Sequence, residues 1–242
     1  MPRITFLGTG NFLAPAPGRS WNSFVVDDRL LFEPSPSALV NLRKARLDAG
    51  GIETIFVSHF HPDHTFGWPF LALELVQRER STPLTVVGPP GVAGYLMEMM
   101  RLGSVASIQQ RLHSGRDVRY VEADGSEQRA GDVPFQAFEV THVPELTCLG
   151  YVVDVGGTKI GYSGDTEPCD GLERIATACD VLVLECAELH RAPTHMHVEA
   201  VAELHARHPG TRILLSHVGE GVDDACPEGV EVPDDLATLE LP

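Results

Sequence analysis

The chain has 242 residues, 43% hydrophobic and 21% charged, which gives enough apolar material for a core and excludes a fibrous or low-complexity protein. Its 18 basic and 34 acidic residues leave a net charge of −16, which counts against a partner gripped by phosphate neutralisation, so nucleic acid is disfavoured though not excluded. Five irregularly spaced cysteines without a CxxC argue against a disulfide framework or zinc knuckle; with no signal-peptide core and no apolar run long enough for a bilayer, the reading is a cytoplasmic protein without a membrane partner.

Arg3 to Leu7 reads as a strand that runs into the turn Gly8-Thr9-Gly10, which is too short to cradle phosphate. Pro15, Pro17 and Gly18 make a loop. Ser23 to Val26 and Arg29 to Phe32 flank Asp27-Asp28 as a hairpin. Ser37 to Ala49 has helical spacing, with Gly50-Gly51 as its stop, and Ile52 to Ser58 is a buried strand that delivers the chain to His59. Pro69 to Arg80 and Val92 to Leu102 are helical and enclose a strand from Leu84 to Gly88. Strands follow at Val118 to Glu122 and Val133 to His142. Leu149 to Val155 and Lys159 to Ser163 pair across Gly156-Gly157. A helix from Leu172 to Ala178, a strand from Val181 to Glu185, a helix from Val198 to Arg207 and a strand from Arg212 to Ser216 complete the pattern. No linker interrupts it, so residues 1–242 are taken as one domain with an irregular acidic tail from Gly219 to Pro242.

His59, His142, Asp165 and His217 share one placement: each lies just beyond an apolar strand, where a rigid sheet can position a functional group. His59-Phe60-His61-Pro62-Asp63-His64 packs four metal-competent side chains into six residues. Imidazole and carboxylate are the usual ligands of zinc and related ions. One ion does not readily take all four from so short a segment. A turn at Pro62 would split them, with His59 and His61 toward one ion and Asp63 and His64 toward a second.

Ser58 to Gly67 resembles the signature of the metallo-β-lactamase superfamily, and the superfamily's other markers have counterparts in order. These are Leu7-Gly8-Thr9-Gly10, Thr141-His142 with Gly150-Tyr151, Tyr162-Ser163-Gly164-Asp165-Thr166 and Leu215-Ser216-His217. The resemblance implies an α/β fold, a four-layer αββα sandwich with a dinuclear site. By it, one ion takes His59, His61 and His142, a second takes Asp63, His64 and His217, and Asp165 bridges them. Zinc is the first expectation, with manganese or iron as alternatives.

Two such ions would supply a metal-bridging hydroxide, with Asp63 both a ligand and the residue that orients it. Thr194-His195-Met196-His197 resembles a segment of phosphodiesterase members, particularly ribonuclease Z, that carries an acid. His195 is the better match, His197 the alternative. Glu185 is a candidate to hydrogen-bond a ligand or acid imidazole. Ribonuclease Z usually carries a long basic arm between its third histidine and the bridging aspartate, whereas only 22 residues separate His142 and Asp165. The reading is therefore hydrolysis of a small phosphodiester or cyclic phosphate. Alternatives are an ester, thioester, lactone or β-lactam hydrolase, a tRNA 3′-processing endonuclease, and a metal-binding non-enzyme. Glu33-Pro34-Ser35-Pro36 departs from the superfamily's acidic-plus-glycine turn, a difference read as touching substrate only. Val92 to Leu102, with Leu96, Met97, Met99 and Met100, offers apolar surface for a homodimer, and core packing accounts for the same residues equally well.

Overall fold

Two β-sheets face each other, and each carries helices on its outer side. The computed structural model describes residues 1–13, 18–78, 82–115 and 117–242. One sheet contains β1 (Arg3–Gly8), β2 (Ser23–Val26), β3 (Leu30–Phe32), β4 (Thr54–Phe56), β5 (Leu84–Gly88), β6 (Val118–Glu122) and, at its edge beside β1, β13 (Thr238–Glu240). The other contains β7 (Glu127–Ala130), β8 (Val133–Val140), β9 (Cys148–Val155), β10 (Thr158–Tyr162), β11 (Val181–Glu185) and β12 (Arg212–Ser216). The helices are α1 (Ala38–Lys44), α2 (Pro62–Thr65), α3 (Trp68–Gln77), α4 (Val92–Leu102), α5 (Ala106–Gly115), α6 (Asp170–Ala178), α7 (Val198–Arg207) and α8 (Val222–Ala225).

Strand alternation decides which residues meet between the sheets. Phe24 pairs with Phe32, and Phe32 with Phe56, across β2, β3 and β4. Their rings stack at centroid distances of 4.4 and 4.7 Å, and Tyr162 of the opposite sheet meets Phe24 and Phe32 edge-on. Each such pair adds about 0.5–1.5 kcal/mol beyond the burial of its area. Residues of opposite parity face outward. Val25, Leu31, Ile55 and Val86 pack under α1, α3, α4 and α5, and Leu182, Leu184, Ile213 and Leu215 pack under α6 and α7. The result is the expected αββα order of layers. In α4, Val92, Leu96 and Met100 face this core, while Met97 is exposed.

Several sequence expectations are corrected. The helix expected to Ala49 ends at Lys44, because Arg46 adopts φ +60° and Leu47 N–H donates back to Leu42 O, a Schellman closure that needs no glycine. Gly50 and Gly51 lie in a separate 3-10 turn, Ala49–Gly51. β7 and α5 lack a strong apolar pattern: β7 is a polar edge strand, and α5 buries only Gln109 and Leu112. The segment after Gly219 is built into the fold through α8 and β13, with Leu241 fully buried. Asp235 ties it to the start of the chain, accepting hydrogen bonds from Thr9 N–H (2.9 Å) and Ser20 N–H (2.6 Å). Pro15 and Pro17 of the expected loop, and Arg80 at the expected end of α3, lie outside the described residues.

β3 and β4 run parallel, as do β10, β11 and β12. β8 shares the direction of β10, since both are antiparallel to β9. The carboxyl ends of these six strands therefore open toward one end of the sandwich.

Candidate metal centre

β4 delivers Ser58 and His59 into the space between the sheets. His61 is extended (φ −67°, ψ 151°), and Pro62 starts the one-turn helix α2, so His59 and His61 precede the turn while Asp63 and His64 lie on it. Gly67 closes this segment against the loop after β3: a Cβ there would lie 1.9 Å from Ser35 O. On the other sheet, β8 leads to His142, β10 to Asp165, β11 to Glu185 and β12 to His217. Gly164 (φ +61°) lets the Asp165 loop approach Ser58 and Leu149 O closely.

These side chains meet in two groups, His59, His61, His142 and Asp165, and Asp63, His64, Asp165 and His217, and a third cluster joins Glu185 and His195 to His217. In the first, His61 Nδ1 lies 2.9 Å from His59 Nε2 and 3.3 Å from His142 Nε2, with Asp165 Oδ2 3.9 and 4.0 Å from the latter two nitrogens. In the second, His64 Nε2 lies 3.2 Å from Asp63 Oδ2 and 3.3 Å from Asp165 Oδ2, and His217 Nε2 lies 3.4 Å from both. Asp165 Oδ2 faces both groups. The residues expected for each ion are thus the ones the fold gathers.

The donor set fits a divalent metal. His142 Nδ1–H donates to Thr194 O (2.7 Å), leaving the Nε2 lone pair directed inward. His59 Nδ1 is held by Ser58 Oγ at 2.9 Å. His64 Nε2 and Asp165 Oδ1 are buried without hydrogen-bond partners, a costly arrangement that a cation relieves. The electrostatics agree. Burial, reinforced by the neighbouring His64, holds His59 well below its ordinary pKa and keeps it neutral. Burial opposes ionisation of Asp165, yet the His217 and His64 charges hold its carboxyl well below the carboxylate range. Burial likewise opposes ionisation of Asp63, and His64 reverses the balance.

Beside the two groups lies His195. Its Nδ1 is 2.8 Å from Glu185 Oε1, and its ring lies 4.8 Å from that of His142 and 5.4 Å from that of His217. Glu185 is buried and fixed by Thr166 N–H (2.9 Å) and Ala187 N–H (3.0 Å). Burial lowers the His195 pKa, but the hydrogen bond and charge of Glu185 outweigh it and raise it to about 9. His197, the alternative acid, sits at the residue before α7 without a side-chain capping hydrogen bond and lines neither group nor the cavity above them. That cavity, about 550 Å³, is walled by Phe12, Trp21, Pro36 and Val143, with Asp63, Asp165 and His195 at its base.

Sequence reasoning missed Glu33. It follows β3 with no exposed surface, at φ +59°, and its Oε1 accepts from Ser58 N–H at 3.0 Å. Its neighbours are therefore the metal-site residues rather than substrate. The placement that singled out the other candidates, a polar residue directly after an apolar strand, applies equally to Leu30-Leu31-Phe32-Glu33.

Among the described residues, no helix is long and apolar enough to cross a membrane. Residues 28–218 match the family model described as beta-lactamase superfamily domain. A ribonuclease Z from Methanosarcina acetivorans is 27% identical over 304 aligned positions, covering 100% of this chain and 99% of the relative. The crystal structure of human tRNase Z, short form, superposes with a TM-score of 0.78 at 23% identity, covering 99% of each chain. A diphosphatase from the PhnP family superposes with a TM-score of 0.75 at 15% identity, covering 100% of this chain and 98% of that one. With its sandwich, its histidine–aspartate groups and the match across most of its length, the chain belongs to the metallo-β-lactamase superfamily and is a metal-dependent hydrolase.

Proposed function

We propose that the chain hydrolyses a small phosphodiester or cyclic phosphate with two divalent ions, zinc first, held by His59, His61, His142, Asp63, His64 and His217 and bridged by Asp165. One observation carries the reading: His195, hydrogen-bonded to the buried Glu185, sits over both ligand groups at the base of the cavity. A phosphodiester expels an alkoxide, which needs a proton, and carboxylic esters with acidic leaving groups need one less.

Bound divalent ions supply an activated water nucleophile near neutral pH and neutralise charge developing on the phosphate. The chain's own residues do the rest. Asp63 orients the attacking water through the oxygen not turned toward His64 and His217. His195 has Nδ1 engaged by Glu185, so Nε2 carries the transferable proton and delivers it to the leaving oxygen. Glu185 keeps that imidazole charged at neutral pH and fixes its direction. Phe12 and Trp21 offer aromatic faces to the rest of the substrate.

Similarity along the whole chain to a ribonuclease Z supports a second reading, tRNA 3′-end processing. Three features favour the small substrate. The net charge is −16, no Lys or Arg lines the cavity among the described residues, and the alignment needs 304 positions to accommodate 242 residues, so the relative carries segments without a counterpart here. The test is a parallel assay of bis(p-nitrophenyl) phosphate, a cyclic nucleotide, a tRNA precursor, a carboxylic ester, a lactone and nitrocefin. Cleavage of the tRNA precursor with far higher kcat/KM than any small phosphodiester would sink the proposal, as would turnover of the ester, lactone or nitrocefin alone.

A further inference from the structure

Phe12 stands on the wall of the cavity with 48% of its surface exposed. A lone exposed phenylalanine is ordinary, but this one is fixed on both sides. Asn11 N–H donates to the carbonyl of Val218, the residue after His217 (3.3 Å), and Leu13 N–H donates to Asn11 Oδ1 (3.0 Å). The carbonyl of Phe12 itself accepts from Trp21 Nε1–H at 3.0 Å, which sets a second aromatic side chain beside the first. The neck of the loop is closed by Gly10 N–H donating to Ser20 O (2.8 Å) and Asn22 N–H donating to Gly10 O (3.0 Å). An apolar ring whose backbone is already held loses little freedom when a ligand covers it. The ring also has a place relative to the chemistry. It lies nearly parallel to the His195 imidazole, with centroids 6.1 Å apart and planes at 15°. Both rings line the cavity, so a group that takes its proton from His195 Nε2 departs into the space Phe12 bounds.

We infer that the alcohol expelled from the phosphodiester is uncharged and carries an aromatic ring, held against Phe12, so that the ring belongs to the half that leaves rather than the half that stays on phosphorus. The other apolar walls lie elsewhere: Pro36 follows β3, and Val143 follows His142. Among the described residues no Lys or Arg lines the cavity, so beyond the ligand groups nothing pairs with a second anionic group on the alcohol. In the step itself the water oxygen bonds to phosphorus. The bond from phosphorus to the aryl-bearing alkoxide oxygen breaks, its electron pair stays on that oxygen, and the His195 Nε2 proton completes the alcohol. One proton of the water is released to solvent and another returns from solvent to His195, so the sum is diester and water to alcohol and phosphate monoester.

This assignment rests on the phosphodiester reading, and one experiment separates the two. Zinc-loaded protein is given 2-phenylethyl methyl phosphate, whose two alcohols are poor leaving groups of similar acidity, and both released alcohols are quantified. Because they leave from one substrate, metal loading and the fraction of folded protein cancel from their ratio. Wild type should release 2-phenylethanol over methanol by about 2- to 12-fold, the selectivity that one aromatic contact supplies, and the ratio should fall toward one in Phe12→Ala. A second arm uses the methyl ester of adenosine 5′-phosphate. A larger bias toward adenosine assigns the ring to a nucleoside, an equal or smaller one assigns it to an arylalkyl alcohol, and either sustains the proposal. A ratio at or below one for both diesters, or a bias that Phe12→Ala leaves unchanged, overturns it. Release of no alcohol from either diester overturns the phosphodiester reading beneath it.

Discussion

Glu185→Gln keeps the shape of a buried side chain and removes its charge. Both oxygens are committed, Oε1 to Thr166 N–H and His195 Nδ1, and Oε2 to Ala187 N–H. A glutamine sets its NH2 against one of these donors whichever way it turns. The least unfavourable orientation keeps the oxygen on Thr166 and His195 and opposes Ala187, at about 1–3 kcal/mol. For a chain of this size that is roughly 2–12 °C in Tm. The larger consequence is protonic. Glu185 outweighs the burial that lowers the His195 pKa and raises it to about 9, and without Glu185 the burial prevails and the imidazole drops. At pH 7.5 the acid fraction then falls by about tenfold or more. Cations bound at the ligand groups would lower His195 in both proteins and leave the difference in place. Turnover of a cyclic nucleotide, which expels an alkoxide, should fall by that factor. Turnover of bis(p-nitrophenyl) phosphate should barely change, because p-nitrophenolate leaves without a proton. The assay is kcat against pH for both substrates. Equal slowing of both, or full activity on the cyclic nucleotide, refutes the reasoning.

His195→Ala should lower kcat on the cyclic nucleotide by about 10²–10⁴ at unchanged metal content, measured by elemental analysis. Because the His195 pKa is raised, its acid form is present below the raised value. Wild-type kcat on the cyclic nucleotide should therefore fall as pH rises through that region, the limb should move to lower pH in Glu185→Gln, and it should vanish in His195→Ala. Asp165→Asn removes a carboxylate that faces both groups, so purified protein should hold fewer ions than wild type and lose at least about tenfold in activity. Gly67→Ala forces a methyl 1.9 Å from Ser35 O, and thermal melting should register a loss of about 1–3 kcal/mol. Phe12→Ala should raise KM for an aryl phosphodiester roughly 2- to 12-fold, the worth of one aromatic contact, with little change for a dialkyl ester.

The ligand groups were legible because metal chemistry restricts residue type and the sheets restrict place. His59, His142, Asp165 and His217 each follow an apolar strand, and the strands themselves show as alternating or continuous apolar runs. β7 and α5 escaped because edge strands and outer helices bury little, so their sequences lack the pattern. The segment after Gly219 escaped because what fixes it lies far off in sequence: β13 pairs with β1, Leu241 is buried, and Asp235 accepts from Thr9 and Ser20 more than 200 residues away. No local signal encodes such a contact. Glu33 was visible as a residue but not its surroundings, since its hydrogen-bond partner Ser58 comes from the end of the next strand.

Among the described residues no strand ladder joins the two sheets, but beside His217 a backbone bridge does, with Val218 N–H donating to Thr9 O (2.7 Å) and Asn11 N–H to Val218 O (3.3 Å). Near the centre they are joined by Leu149 N–H donating to Ser58 O (3.0 Å), Tyr151 Oη donating to Val57 O (2.7 Å) and Ser216 Oγ donating to Asn22 Oδ1 (2.6 Å). His59, His61, Asp63 and His64 hang from one sheet, while His142, Asp165, Glu185, His195 and His217 hang from the other. A cation shared between them would be a second clasp, beside that bridge, on one edge of a book. Parting the covers at that edge by about an ångström separates the groups that must act together, a displacement that costs on the order of 100-fold in rate. Gentle denaturant would silence the enzyme while the spine, packed with stacked phenylalanines, still holds the pages shut.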